Sequence, residues 1–308
     1  MAGPGRTGKM TTSSQSWQRV KMWIKARLLG LRARFVQVFL SYDSTNLLAA
    51  LRELGVRPGD DVMLHSAFGA QHGFRGSIEQ LTATFLEAVA PDGHLLMVSL
   101  PYRSAVLHYL EKLKRFDVRK TPSMMGLVSE FFRRRPDVLR SLHPTHPMLV
   151  HGPLAEWYVA GHEHCAVGCG AGTPFEKFAE RDGLAVFFNV DLQNLTLFHY
   201  LEHLIGDDLP FPLYTQPAHR VEVVDREGRT STISVHAYPI ETIRRRRFAV
   251  LEAALRERGM VAQRRIGNTT LLAVRARAAI ACTLEMRRAG RYFYDFVPAA
   301  GDAAAPPA

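Results

Sequence analysis

The sequence predicts an α/β fold: a three-layer αβα sandwich around a mixed, largely parallel sheet, with a smaller antiparallel β-containing subdomain. Three observations point there. From residue 44 apolar runs of strand length alternate with amphipathic helical segments, which is the pattern of βαβ units. Beyond Pro217 the apolar period shifts toward two. A chain of 308 residues, 47% hydrophobic and 22% charged, falls within the range of proteins that bury one large core or two smaller ones.

Residues 1–16 are rich in Gly, Ser and Thr, and their composition marks them as disordered, like the Ala/Pro/Gly tail from 299 to 308. Between Trp17 and Val36, Val20, Ile24, Leu28, Leu31 and Phe35 form one ridge at helical spacing, flanked by Lys21, Lys25 and Arg32. Such a helix suits peripheral contact of residues 17–36 with an anionic membrane. Met22, Leu29 and Val36, off that ridge, equally suit packing on the protein's own body.

Asn46–Leu54 reads as a helix closed by Gly55, and Asp61–His65 as a buried strand. Ser77–Val89 reads as a helix with Ser77 and Glu79-Gln80 at its start, followed by the turn Pro91-Asp92-Gly93 and the strand Leu95–Leu100. Ser123–Arg135 is expected to be helical, Leu184–Val190 a core strand, and Thr196–Ile205 a helix with His199 and Glu202 on one face. Arg220–Val224 and Thr230–His236, joined through Asp225–Gly228, form an expected hairpin. A helix over Thr242–Arg258 carries Arg244–Arg247, and a last one lies near Ala276–Met286. No internal repeat is visible. The resulting division is a basic extension over 1–42, a main domain over 43–298 with the hairpin subdomain at about 217–240, and a tail over 299–308.

The net charge of +10 is unevenly placed. Eight Lys/Arg and no acid precede Asp43, leaving 31 basic against 29 acidic residues in the remainder. Basicity therefore belongs to the extension and speaks of where the protein sits rather than of nucleic acid in its site. Cys165, Cys169 and Cys282 are too few for a disulfide framework. With no uncharged window of spanning length and no secretory signal pattern, the expectation is a cytoplasmic protein, peripheral at the inner face of the membrane if the helix binds lipid.

Thr121-Pro122-Ser123, Ser141-Leu142-His143-Pro144, Gly172-Thr173-Pro174 and Thr196-Leu197-Phe198-His199-Tyr200-Leu201-Glu202 occur in one order. Together these segments resemble the aminoglycoside 3-N-acetyltransferase family, also called the antibiotic N-acetyltransferase family, over about residues 44–290. The resemblance implies direct transfer of an acetyl group from acetyl-CoA to an amine, with no metal. It implies that His143 is the catalytic base and that Glu202 is its partner or a substrate anchor. His146, His199 and Asp117 are then expected to bind substrate. Acetyl transfer needs a base within reach of the amine and donors toward the thioester carbonyl, and a carboxylate beside an imidazole fixes its tautomer.

The resemblance also places the CoA loop at His65–Ser77, where Ser66, Arg75, Gly76 and Ser77 at a helix start would contact the diphosphate, with Thr121 and Ser123 meeting cofactor or reacting centre. More mundanely, Ser123 would cap the next helix. This chain departs from the family pattern at Pro147, Asn189, Ala67 and the Arg75-Gly76 pair. Thr145-His146 stands where antibiotic-modifying members carry acids that attract a polycation. The acceptor implied is a small amine or amino sugar, nucleotide- or lipid-linked, with a homodimer as the expected assembly. The other readings are an O-acetyltransferase on a sugar hydroxyl and a non-catalytic membrane-surface protein. His162, His164, Cys165 and Cys169 are spaced as a zinc set could be, and Cys165 or Cys169 could be a nucleophile, but neither group carries a repeated ligand pair or an activating motif.

Overall fold

The computed structural model describes residues 12–296; residues 1–11 of the N-terminal stretch expected to be disordered, the whole expected tail 299–308 and the end of the expected main domain lie outside the described residues. The strands are β1 (Asp61–Ser66), β2 (His94–Val98), β3 (Arg115–Asp117), β4 (Leu139–Arg140), β5 (Met148–His151), β6 (Leu184–Phe188), β7 (His219–Val224), β8 (Thr230–Val235), β9 (Ala262–Ile266) and β10 (Thr269–Arg275). Seven of them form one sheet in the order β4-β5-β2-β1-β6-β10-β9. Its centre, β2-β1-β6, is parallel. The flanking pairs are antiparallel.

The central strands are buried at nearly every position because both faces are covered. Val62 and Leu64 of β1 pack with Leu47, Leu51, Leu81, Phe85, Val128 and Phe132, from the helices Ser44–Leu54, Ile78–Val89 and Leu127–Arg133. Met63 faces the other way, toward Tyr158, Phe175, Phe178, Leu201, Leu251 and Cys282. That second layer comprises Ala155–Val159, Pro174–Glu180, Phe198–Leu204, Phe248–Glu257 and Ala276–Arg288. Each buried aliphatic or aromatic side chain contributes about 1.5–3 kcal/mol, and truncating one such as Leu51, fully buried, costs about 2–5 kcal/mol.

Local chemistry sets the helix ends. Asp43 caps Ser44–Leu54 by accepting from the Asn46 N–H at 3.0 Å, and Gly55 closes it in the left-handed region at φ 104°. Ser77 and Gln80 form a reciprocal capping box at the start of Ile78–Val89.

Several boundaries differ from the sequence reading. The N-terminal helix runs Thr12–Phe39, starting inside the stretch expected to be disordered. The segment Ser123–Arg135 is helical only over Leu127–Arg133, because Ser123 folds back onto Ser129 and Glu130 instead of entering the helix. Thr242–Arg258 breaks into Ile240–Arg244 and Phe248–Glu257, with Arg246 turned inward at the break onto a carboxylate. Strands β9 and β10, which extend the main sheet antiparallel to β6, were not expected; β9 is largely exposed and charged and carries little apolar signal. The hairpin β7-β8 forms as expected, and β3 joins it in parallel to make a three-stranded sheet.

Candidate active site

The parallel strands β1, β2 and β6 end on one side of the sheet, where open α/β sheets hold their ligands. A crevice there is walled by His65, Ser66, Val98, Ser129, Val190 and Thr196. His65 is buried and stacks on Phe187 at 4.9 Å between ring centres. Burial pushes its pKa down to about 4, and its Nε2 has no hydrogen-bond partner among the described residues. A neutral ring with an unused polar atom beside a crevice is therefore available to a ligand.

The loop between β4 and β5 carries three residues of interest. His143 is fully buried and stacks on His162 at 4.5 Å. Its Nδ1 accepts from the backbone N–H of Thr145 and of His146, both at 3.3 Å, which leaves the proton of the neutral ring on Nε2. That Nε2 makes no hydrogen bond among the described residues. Burial drives the pKa down to about 3, opposed by the nearby Cys165 backbone. His146 bonds Thr145 Oγ1 through Nδ1 at 2.9 Å, and burial holds it well below the usual histidine range, helped by the neighbouring His199. A Cβ on Gly168 would fall 2.5 Å from His146 Nδ1, so only glycine allows this approach.

Beyond His146, its ring 5.4 Å away, lies His199. The helix Phe198–Leu204 sets His199 and Glu202 one turn apart, and Nδ1 of His199 meets Glu202 Oε2 at 2.7 Å. Glu202 is fully buried. Arg246 donates to both its oxygens, Nε to Oε1 at 2.5 Å and Nη2 to Oε2 at 2.8 Å, and the Tyr294 hydroxyl donates to Oε1. Burial opposes ionisation of this carboxyl, but the His199 bond, the Arg246 charge and Tyr294 hold its pKa below the usual value. Burial likewise lowers His199, against the pull of Glu202. Because Glu202 fixes the proton on Nδ1, the lone pair of His199 lies on Nε2, and its side chain is 20% exposed. Tyr238 packs against the ring of His199 at 5.1 Å and under the Arg246 guanidinium at 4.5 Å.

The expected contact between His143 and Glu202 is not formed. Glu202 is taken by His199, Arg246 and Tyr294, while His143 is held in its own loop, with His146 lying between that loop and His199. Asp117 and Thr121 sit at the end of β3 and close a turn on each other. The Asp117 N–H donates to Thr121 Oγ1 at 2.9 Å, and Asp117 Oδ1 accepts from the N–H of Arg119 and Lys120. Ser123 reaches the crevice only through Ser129, at 2.8 Å. Ser66 lines the crevice directly. Arg75 and Ser77 are exposed on the next loop, with the Ser77 hydroxyl committed to its capping box, and Gly76 is held between Phe74 and Gln80.

In the zinc-like set, His162 uses both ring nitrogens, on Ser141 Oγ and the Gly168 carbonyl, and His164 points to solvent. Among the described residues no three His, Cys, Asp or Glu are grouped to hold a metal ion. Burial raises the Cys165 and Cys169 thiols, the reverse of an activated nucleophile. Sequence reasoning placed His65 at the start of the cofactor loop without a role for its side chain, and missed Tyr238, Tyr294 and the inward role of Arg246. Only the Arg244–Arg247 run was visible, and its charge pattern reads as a solvated helix face.

Residues 63–287 match the family model described as aminoglycoside 3-N-acetyltransferase. Among characterised proteins, the chain is 28% identical over 196 residues to aminoglycoside N(3)-acetyltransferase III of Serratia marcescens, covering 60% of this chain and 71% of that one. It is 32% identical over 165 residues to an enzyme of the same name from Salmonella sp, covering 50% of this chain and only 57% of that one. Among solved structures, AAC-IIIb in its binary complex with CoASH superposes with a TM-score of 0.69 at 24% identity, over 83% of this chain and 99% of that one. AAC-VIa bound to sisomicin gives 0.67 at 25% identity, over 82% and 99%.

Proposed function

The chain belongs to the aminoglycoside 3-N-acetyltransferase family, and on that premise we propose that it is an acetyl-CoA-dependent N-acetyltransferase acting on an amino group of a sugar. The observation that carries the chemical part is the buried His199–Glu202 pair, clamped by Arg246. Glu202 holds the Nδ1 proton and stabilises the imidazolium that forms when Nε2 takes a proton from the acceptor amine. Arg246 and Tyr294 keep the carboxylate ionised and fixed, so the ring stays oriented through the transfer.

Acetyl-CoA supplies the acyl group as an activated thioester. The residues present suit its arm: the crevice at the strand ends offers the apolar Val98 and Val190 beside Ser66, Thr196 and the unused Nε2 of His65. Arg75 and the N-terminal amides of Ile78–Val89 lie on the following loop, and we assign them to the diphosphate, with Ser77 shaping the helix start rather than binding through its hydroxyl.

The acceptor follows from charge. Glu202 is neutralised by Arg246, and the neighbouring side chains are His146, Tyr102 and Tyr238. Such a wall does not attract a polycation, so a neutral or anionic amino sugar is the substrate class, rather than a polyamine antibiotic. His143, the base that the family resemblance implied, is assigned to shaping the loop that carries His146. Beyond the acceptor, the second contact is a membrane surface, met by residues 17–36. His199, Glu202, Arg246 and Tyr294, the proposed catalytic cluster, belong to a single chain, and a homodimer stays the proposed assembly.

A panel of amino sugars and their hydroxyl analogues with acetyl-CoA, followed by release of free CoA thiol, tests this reading. Release that needs the amino group and is lost in His199→Ala but kept in part in His143→Ala supports it. Release with hydroxyl acceptors alone, or with His199→Ala at the intact rate, overturns it.

A further inference from the structure

The helix Thr12–Phe39 precedes the segment that matches the family model, and it spans about 42 Å at 1.5 Å per residue. Of its described side chains, Val36 alone is buried. It rests near Gly73, whose missing Cβ leaves room for Val36 and the Leu40 carbonyl, and the helix packs against the turn Ala70–His72. Trp17, Val20, Ile24, Leu28, Leu31, Phe35, Val38 and Phe39 are each 45–69% exposed.

On a helical projection these eight fall in a single stripe about 100° wide. Lys21 and Arg32 border it on one edge, Arg27 and Arg34 on the other, and all four are exposed. Val36, off that stripe, turns to the body, whereas Met22 on the same flank is 65% exposed. The helix is thus seated on the body only at its C-terminal end, through Val36, and its apolar stripe stays exposed among the described residues.

The helix contains six Lys/Arg and no Asp or Glu. A second copy laid along the stripe would bring cation against cation on both seams, which disfavours self-pairing. An anionic surface meets both cation rows at once, with the apolar stripe entering the acyl boundary and Trp17 and Trp23 at headgroup depth. The helix is not apolar enough to cross a membrane, so it must lie flat. We propose that this helix docks the protein on the surface of an anionic membrane. Docking brings the site to the lipid. Arg32 lines a second crevice with Gln71, His72 and Asn189, and Val190 walls both that crevice and the one beside His65. The acceptor is then an amino sugar presented at the membrane, a point that rests on the acetyltransferase reading, whereas the docking does not.

The test is co-sedimentation of the full chain with vesicles of phosphatidylcholine alone and of equimolar phosphatidylcholine and phosphatidylserine. The intact protein should pellet only with the anionic vesicles and be released by high salt. Ile24→Glu with Leu31→Glu should abolish pelleting while leaving the melting temperature and acetylation of a soluble amino sugar unchanged. Each cation reversed by Lys21→Glu or Arg27→Glu should lower binding at least roughly fivefold. Intact protein left in the supernatant with anionic vesicles, unchanged pelleting of the Ile24→Glu/Leu31→Glu variant, or a light-scattering dimer that this variant dissolves would each overturn the proposal. Because pelleting is read without turnover, its failure is distinct from a failure of the catalytic assignment.

Discussion

His199 and Glu202 sit one helical turn apart with Nδ1 and Oε2 at 2.7 Å, and Glu202 is fully buried. Both residues were candidates in the sequence, but in separate roles. If they act as one unit, Glu202→Gln should reduce acetyl transfer by roughly 100-fold or more, and His199→Ala by a similar factor. The double variant should be little worse than either single one. Additive losses, measured as kcat/KM from CoA thiol release, would show that the two do not work together.

Arg246 offers the cleanest stability test. Arg246→Met keeps the volume over Tyr238 but leaves Glu202 buried with only His199 and Tyr294. Breaking one side of a buried pair costs about 3–5 kcal/mol. Urea unfolding at neutral pH should show that loss, and the additional substitution Glu202→Gln should recover part of it, because the uncompensated charge is then gone.

Gly168 lets the His146 ring lie against the backbone. Gly168→Ala must displace that ring or the loop that holds it, at a cost of about 1–3 kcal/mol. We expect a fall in turnover with near-normal CoA affinity by calorimetry, since the crevice beside His65 is walled by other elements. Loss of CoA binding in step with activity would contradict the separation of the two regions.

Acid should destabilise the fold early. His65 and His143 are held neutral, at about 4 and about 3, below their unfolded value of 6.5. As pH falls below 6.5 the unfolded chain takes up protons that the folded one refuses. Stability is therefore full above that value and declines through the window down to the folded values. Each such group contributes about 1.4 kcal/mol per pH unit there. His65→Phe, which keeps the stack on Phe187, should flatten the decline between pH 6 and 4 in thermal melts. An unchanged slope would mean that His65 is protonated in the folded protein.

Much of this architecture was legible because local chemistry writes it. The capping box at Ser77 and Gln80, the glycine stop at Gly55 and the unbroken apolar runs of β1, β2 and β6 are each a local consequence of backbone satisfaction or burial on both faces. The sequence alone determined the alternating α/β body, the family it resembles, the His199–Glu202 spacing and the confinement of excess charge to the N-terminal extension. Tertiary structure decided which partners those residues meet. Nothing local to Arg246 distinguishes it from Arg244, Arg245 or Arg247, and only the break between two helices turns that one guanidinium inward onto Glu202. The same holds for His143: its neighbours in the chain occupy its Nδ1, whereas the stack on His162 and the burial that keeps it neutral come from residues brought in by the fold. The physical reason is common to both, since the energy of a buried charge or imidazole depends on what surrounds it in space, and sequence spacing does not encode those surroundings.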